Sequence, residues 1–180
     1  RLPAQGGQPE GAYIQLWRTD TNEMFFKYYI KDTGYDPLDV LGLSFDGKRV
    51  WVGFEQGKLL AIDVQTKAIV QRISIGENWV VPVYYDGQLI WAGHFTEMIA
   101  VNPATGAIVR KFDMNSWDIV SDGQWLWGNF YGGLGAIDPL TGEVKVSIPD
   151  ALEVLSIAFD GERLWLTTRD LPVIFSVKVK

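Results

Sequence analysis

The sequence predicts an all-β fold, a β-propeller of four-stranded antiparallel blades, from three observations. One hairpin signature, Asp-Gly with a Trp five residues after the Asp, occurs four times, beginning at Asp46, Asp86, Asp122 and Asp160. Apolar runs of strand type lie on both sides of each signature. A second turn signal follows further along most copies, and a repeat of roughly 36 to 40 residues with four strands is the size of one propeller blade.

The first turn of each repeat depends on Asp-Gly, because the glycine supplies the positive φ that a tight hairpin requires. The second turn has the sequence Asn102-Pro103-Ala104-Thr105-Gly106 in one copy and Asp138-Pro139-Leu140-Thr141-Gly142 in another. A third version, residues 63–67, lacks the Pro and the Gly. Pro fixes φ, the Asp or Asn side chain accepts local hydrogen bonds, and Gly takes the left-handed position. A fourth strand is predicted after each turn, over 68–75, 107–112 and 143–148.

The repeats divide the chain in order. Residues 1–12 are rich in Gly, Pro and Gln and predict a flexible tail or linker. Residues 13–30 match the second half of a repeat, with Asn22 at the left-handed position. Three full blades are predicted over 40–75, 79–113 and 117–148, and an incomplete one over 153–180.

Three arrangements of these blades fit the sequence. Residues 24–30 could complete the last blade and close a ring of four. The chain could also be a segment of a longer propeller, or one of two chains that form a ring of about eight blades.

Composition limits the classes of function. The net charge of −6 argues against nucleic-acid binding. With no cysteine, neither disulfides nor thiolate metal sites are available. No apolar run approaches the ~18 residues of a membrane-spanning helix. Since the chain begins with Arg1 and not with Met, we expect an excised or processed segment of a larger protein, with an extracellular, cell-envelope or cytoplasmic location left open.

The motifs over 45–53 and 136–144, F-D-G-x-x-x-W-x-G and A-I-D-P-x-T-G-E-V, resemble bacterial YVTN/PQQ-type β-propeller repeats. These are relatives of the fold in virginiamycin B lyases and quinoprotein dehydrogenases, and the resemblance covers roughly residues 13–180. It implies the architecture and not one function, because the same scaffold carries enzymes, ligand binders and interaction modules. No adjacent cysteines or basic cradle for a quinone are present, so we expect neither a cofactor nor a metal.

The predicted topology puts the Asp-Gly and Thr-Gly turns on one face, here called the bottom face, and the remaining loops on the opposite, top face. Loops on a rigid scaffold usually carry function. The repeat tryptophans are expected to pack between blades, whereas Trp79, Trp117 and Trp125 lie outside the repeat position and suit an aromatic floor for a sugar or flat ring. The candidate binding residues are Trp79, His94, Phe95, Trp117, Asn129, Tyr131 and Arg169.

The sequence therefore predicts a non-catalytic ligand-binding or protein-interaction module, which binds a protein or small molecule on its top face and associates with a second copy or with the rest of a larger propeller. The alternative is a lyase or hydrolase with His94 and Glu97 as an acid/base pair. His94 is the single histidine, which argues against a multi-histidine metal site. The loop carboxylates are expected to be solvated: Asp113, Asp118, Asp150 and Glu153.

Overall fold

The computed structural model describes residues 13–36, 39–94, 96–114, 116–130, 133–148, 154–169 and 174–179. The chain divides into two compact units, residues 1–40 and 41–180. Regular structure in the described ranges is β-strand, apart from 3-10 turns such as Ile30–Thr33 and Glu55–Gly57. No described helix has the length and apolar character needed to span a membrane. The single propeller domain over 13–180 stays a prediction.

The first unit contains a hairpin of two antiparallel strands, β1 (Tyr13–Trp17) and β2 (Met24–Tyr29). The Arg18 N–H donates to the Glu23 carbonyl at 2.8 Å across the turn. Asn22 has a φ of 55°, which is the left-handed conformation expected at this position. The hairpin thus has a left-handed turn residue where the sequence predicted one, and the assignment of residues 13–30 to a partial blade stays a prediction.

The second unit contains four antiparallel sheets whose strands are hydrogen-bonded in chain order, and each sheet is named here as a blade. Blade 1 consists of β3 (Val40–Phe45), β4 (Arg49–Phe54), β5 (Lys58–Asp63) and β6 (Ile69–Ser74). Blade 2 consists of β7 (Val83–Tyr85), β8 (Ile90–His94), β9 (Glu97–Val101) and β10 (Ile108–Phe112). Blade 3 consists of β11 (Ile119–Ser121), β12 (Leu126–Phe130), β13 (Gly133–Ile137) and β14 (Val144–Ile148). Blade 4 has three described strands, β15 (Val154–Phe159), β16 (Arg163–Thr168) and β17 (Ile174–Lys178).

This architecture confirms the predicted fold class. The first strand of blade 2 begins at Val83, although residues 80–85 form a single apolar run in the sequence. Pro82 has no N–H to donate to a ladder, and the Val80 N–H instead donates to the Phe54 carbonyl of blade 1 at 3.1 Å. The start of the run therefore becomes part of the connection between the two blades.

The Asp-Gly turn has the same hydrogen bonds in all four copies. In blade 2, Oδ1 of Asp86 accepts the N–H groups of Gln88 and Leu89 at 2.7 and 2.8 Å. Its Oδ2 accepts the indole N–H of Trp91 at 2.6 Å. The corresponding indole bonds of Asp46, Asp122 and Asp160 measure 2.9, 2.9 and 2.7 Å. The repeat Trp is thus held by the turn that precedes it.

Three of the four repeat tryptophans also pack between blades, as predicted. Trp51 of blade 1 is fully buried in a cluster with Val83 and Ile90 of blade 2. The pattern recurs with Trp91 against Ile119 and Leu126, and with Trp127 against Ile157 and Leu164. Each buried ring stabilises the fold by about 3–5 kcal/mol relative to alanine.

Blade 4 carries the exposed copy of this motif. Trp165 is 42% exposed, whereas the other three motif tryptophans are at most 5% exposed. The hydrogen bond from the Trp165 indole, followed by those from the Arg163 and Glu162 N–H groups, lowers the pKa of Asp160 to about 2. The turn network therefore favours the charged carboxylate even at the exposed end.

The second turn also matches its sequence signal. Asp63 accepts the N–H groups of Gln65 and Thr66 at 3.0 and 2.9 Å, and the backbone bond from Thr66 is the main cause of the lowered pKa of Asp63. Gly106 and Gly142 occupy the left-handed position in blades 2 and 3, with φ of 76° and 74°. In blade 1 this position is held by Lys67, with φ of 57°.

Asp86→Ala should lower the free energy of unfolding by about 3 kcal/mol, because it removes three charge-assisted bonds and leaves the buried Trp91 indole N–H without its acceptor. Urea denaturation followed by circular dichroism measures this. Asp160→Ala is the matched control and should cost distinctly less, because the exposed Trp165 can bond to water. Equal losses at the two positions would show that the indole bond contributes little.

Lys67→Gly should raise the free energy of unfolding by about 1 kcal/mol, because a side chain in the left-handed region is strained and glycine is not. The urea midpoint is the readout. Lys67→Ala removes the same charge without relieving the strain, so it should not stabilise. A stability gain shared by both variants would assign the effect to the lysine charge.

Candidate functional site

Two of the predicted binding residues meet on the top face of the second unit. Trp79 lies between β6 and β7, and Trp117 lies between β10 and β11. Their ring centroids are 6.3 Å apart, with an angle of 56° between the ring planes. The two residues are 42% and 48% exposed. This contact, named here the tryptophan pair, presents two large aromatic surfaces to solvent.

Backbone hydrogen bonds hold the loop that carries Trp79. The residue before it, Asn78, accepts the Gly57 N–H through its carbonyl, and the residue after it, Val80, donates to blade 1. A Cβ at Gly53 would lie 2.3 Å from the Val80 carbonyl oxygen, so only glycine fits there. The close approach of this loop to blade 1 therefore depends on a repeat glycine.

Side-chain hydrogen bonds hold the loop that carries Trp117. Ser116 Oγ accepts the Asn129 N–H at 3.0 Å and donates to the Asp118 carbonyl at 2.6 Å. Oδ2 of Asp118 accepts the Ser156 hydroxyl and the Ile157 N–H at 2.7 and 3.0 Å. Asp118 is thus a half-buried link between blades 3 and 4, and not the solvated loop carboxylate that the sequence suggested.

Asn129, another predicted binding residue, links the same two blades. Its side chain is buried, and its Nδ2 donates to the Val154 carbonyl at 3.0 Å. Its Oδ1 has no partner among the described residues. Asn129 lies two residues after the motif Trp of blade 3. In blades 1 and 2 the same position is occupied by Gly53 and Gly93. A binding role for Asn129 stays a prediction.

The other predicted residues are placed in part. Arg169 is exposed after β16 and is engaged in interactions within the protein.

The proposed acid/base pair lies at the end of one hairpin of blade 2. His94 ends β8 opposite Glu97 of β9, and the Glu97 carboxylate forms an ion pair with Lys111 Nζ at 2.7 Å. The His94 side chain, Phe95 and Tyr131 lie outside the description, as do the loop carboxylates Asp150 and Glu153. Within the described ranges, no cluster of three His, Cys, Asp or Glu residues could hold a metal.

Trp125 lies on the opposite face from the tryptophan pair, next to the Asp-Gly turn of blade 3. With Trp127, Val146 and Val177 it lines a cavity of about 330 Å³ between blades 3 and 4. A second cavity of about 120 Å³ lies between blades 2 and 3 on this bottom face. Neither cavity was predicted from the sequence, because the turns of the bottom face carry only turn motifs there. The sequence does contain a signal for them, because residues that line the cavities differ from the residues at the corresponding positions of other repeats.

No protein-family model and no curated protein matches the chain. Among solved structures, it is similar to the β-propeller domain of Cps50 (Swd1) from Myceliophteria thermophila, with a TM-score of 0.72 and 16% identity over 94% of this chain and 59% of that domain. It is also similar to the computationally designed Ika4 protein, with a TM-score of 0.66 and 14% identity over 78% of this chain and 91% of Ika4. The chain thus spans 59% of the length of the Cps50 domain. At these identities the likeness shows the fold alone, which is that of a β-propeller; the YVTN/PQQ type stays a prediction.

Proposed function

We propose that the chain is a non-catalytic interaction module whose top face binds an extended protein segment through the tryptophan pair. The observation that carries the proposal is the contact of Trp79 and Trp117, which lie outside the repeat position and stay about half exposed. Rigid aromatic side chains contribute disproportionately to protein interfaces. Covering the exposed part of each ring would contribute about 2–3 kcal/mol before the cost of association.

The angle between the rings favours a peptide side chain over a flat ligand. A single planar ring or sugar face cannot stack on two surfaces inclined at 56° at the same time. We expect the exposed parts of the two rings to contact one aliphatic, proline or aromatic side chain of the partner. A partner segment with one apolar anchor residue would make this contact.

Anchoring of the two loops supports the same proposal. Each Trp follows a residue whose backbone or side chain is hydrogen-bonded to a neighbouring blade. A surface held in place before binding loses little conformational entropy when the partner arrives. The net charge of −6 further favours a neutral or basic partner over an acidic one.

An acid/base role for His94 and Glu97 has less support than binding. The Glu97 carboxylate already has a cationic partner in Lys111 at 2.7 Å. A general base needs a carboxylate that can reach the proton it removes. The enzyme alternative stays a prediction and has no further observation in its favour.

We also propose that blade 4 is covered by a second copy of the chain. The side of blade 4 that carries Trp165 corresponds to the side that packs on the following blade in blades 1 to 3. It exposes Leu155, Trp165 and Ile174 at 46%, 42% and 68%. Repeat proteins bury such faces by stacking a further repeat, and a second copy would supply strands of the same type.

The peptide proposal is tested by selecting a phage-displayed peptide library on the wild-type protein and measuring the selected peptides by calorimetry. Trp79→Ala with Trp117→Ala should weaken binding at least about 30-fold, since two such anchors contribute about 2 kcal/mol or more. Trp17→Ala removes another exposed Trp and should leave the affinity unchanged. Peptides that bind the double variant as tightly as the wild type would contradict the proposal.

The proposed second copy is tested by light scattering. The wild type should have a mass near twice 20.2 kDa, and Trp165→Asp should shift it to the monomer because a buried, unpaired charge is costly at an interface. Val109→Asp, at an exposed position on the outer strand of blade 2, is the control and should stay dimeric. A wild-type monomer at high concentration would contradict association of two copies.

A further inference from the structure

The interface between blades 1 and 2 is closed on the bottom face by two side chains that share one acceptor. Arg49 Nη1 and Gln71 Nε2 both donate to the carbonyl of Pro103 in the second turn of blade 2. The Gln71 bond measures 3.1 Å. A Cβ on Gly106 of that turn would lie 2.6 Å from Gln71 Oε1, so the contact is tight. The side chains of Arg49 and Gln71 thus fill the space between the two blades on this face.

The next interface has different residues at the same two positions. Leu89 corresponds to Arg49, because each lies three residues after the turn Asp and donates its N–H to that carboxylate. Arg110 corresponds to Gln71, because each lies opposite the alanine of the preceding strand, Ala100 or Ala61. Leu89 has no side-chain donor, so the closure seen between blades 1 and 2 cannot form here.

A cavity of about 120 Å³ takes the place of that closure. Its apolar lining comes from Leu89, Trp91, Pro139 and Leu140, and its polar lining from Asp86, Gln88, Arg110, Ser121 and Gln124. The volume is that of about four water molecules. This is enough for a carboxylate with one or two methylene groups.

The guanidinium of Arg110 is the donor available to a ligand. Arg110 is half-buried, and within the described part of the chain it makes no hydrogen bond and no ion pair. Asp86 lines the same cavity, but its two oxygens already accept the N–H groups of Gln88, Leu89 and Trp91. A partly desolvated guanidinium with its donors free matches the geometry of a carboxylate.

The cavity is lined by one cationic side chain, Arg110, and one anionic side chain, Asp86. The oxygens of Asp86 are occupied by its own turn, so the guanidinium is the charged group that can pair with an anion. Side-chain amides of Gln88 and Gln124 and the hydroxyl of Ser121 offer further donors for the second oxygen. The cavity thus combines one cation, neutral donors and an apolar floor.

We propose that the cavity between blades 2 and 3 is a carboxylate-binding site in which Arg110 holds the carboxylate of an acidic side chain, a chain terminus or a small organic acid. This site lies on the bottom face and is independent of the tryptophan pair. The bound carboxylate provides the acceptor oxygen for Arg110. Between blades 1 and 2 the Pro103 carbonyl is the corresponding acceptor, for Arg49 and Gln71.

The test is an NMR titration of the ¹⁵N-labelled protein. The probe is the indole N–H resonance of Trp91, because this residue lines the cavity. The resonance is identified as the one that disappears in Trp91→Phe. Acetate, N-acetylalanine and N-acetylglutamate α-amide represent the small acid, the chain terminus and the side chain. N-acetylglutamine amide is the neutral control. At least one carboxylate should give a saturable shift that the neutral control does not, and the one that binds best identifies the source.

Arg110→Gln should weaken that binding at least about tenfold, the ratio that corresponds to 1.4 kcal/mol. Arg72→Gln removes the same charge from blade 1 and should bind as the wild type does. Leu89→Arg with Arg110→Gln rebuilds the pair found between blades 1 and 2. It should close the cavity and abolish binding, and it serves as the decisive variant if Arg110→Gln alone does not fold.

Three results would overturn the site. The first is the absence of a saturable shift up to about 50 mM carboxylate, above the millimolar dissociation constants of weak small ligands. The second is unchanged binding in the folded variants that lack Arg110. The third is equal binding of the neutral amide, which would show that Arg110 does not recognise the charge.

Discussion

The structure of the second unit depends on one interaction, the bond of a turn carboxylate to the indole N–H of a Trp five residues later. The same Asp accepts two backbone N–H groups of its own turn, so it determines the hairpin and the position of the indole together. In three of the four copies that indole lies in the core between successive blades. A local turn is thereby coupled to the packing of one blade on the next, which explains why this motif recurs with little variation.

The regular blades make departures from the repeat informative. Where the repeat has glycine, the connecting loop approaches closely, as at Gly53 against Val80. Where it has Asn129, the side chain bridges to Val154 instead. Where Arg49 and Gln71 become Leu89 and Arg110, a filled contact becomes a cavity. Substitution within a repeat is thus one way in which a uniform scaffold acquires distinct surfaces.

The two proposed surfaces use different physical chemistry. The top face offers aromatic area held by anchored loops, which favours an apolar side chain. The bottom face offers a half-buried cation in a small cavity, which favours a carboxylate small enough to enter it. Because they lie at opposite ends of the strands, the same chain could bind two groups at once without competition. Neither surface needs a metal or a cofactor in the proposed interactions.

Local chemistry allowed the sequence alone to determine the blade architecture, the two turn types, the left-handed positions such as Asn22 and the packing role of the repeat tryptophans. These features depend on residues within a few positions of one another and on strand periodicity. Only the tertiary structure decided that Trp79 and Trp117 meet, that Asp118 and Asn129 link blades, and that Arg110 borders a cavity. These contacts depend on the spacing and orientation of neighbouring sheets, and no pattern within a single repeat specifies the distance between two blades.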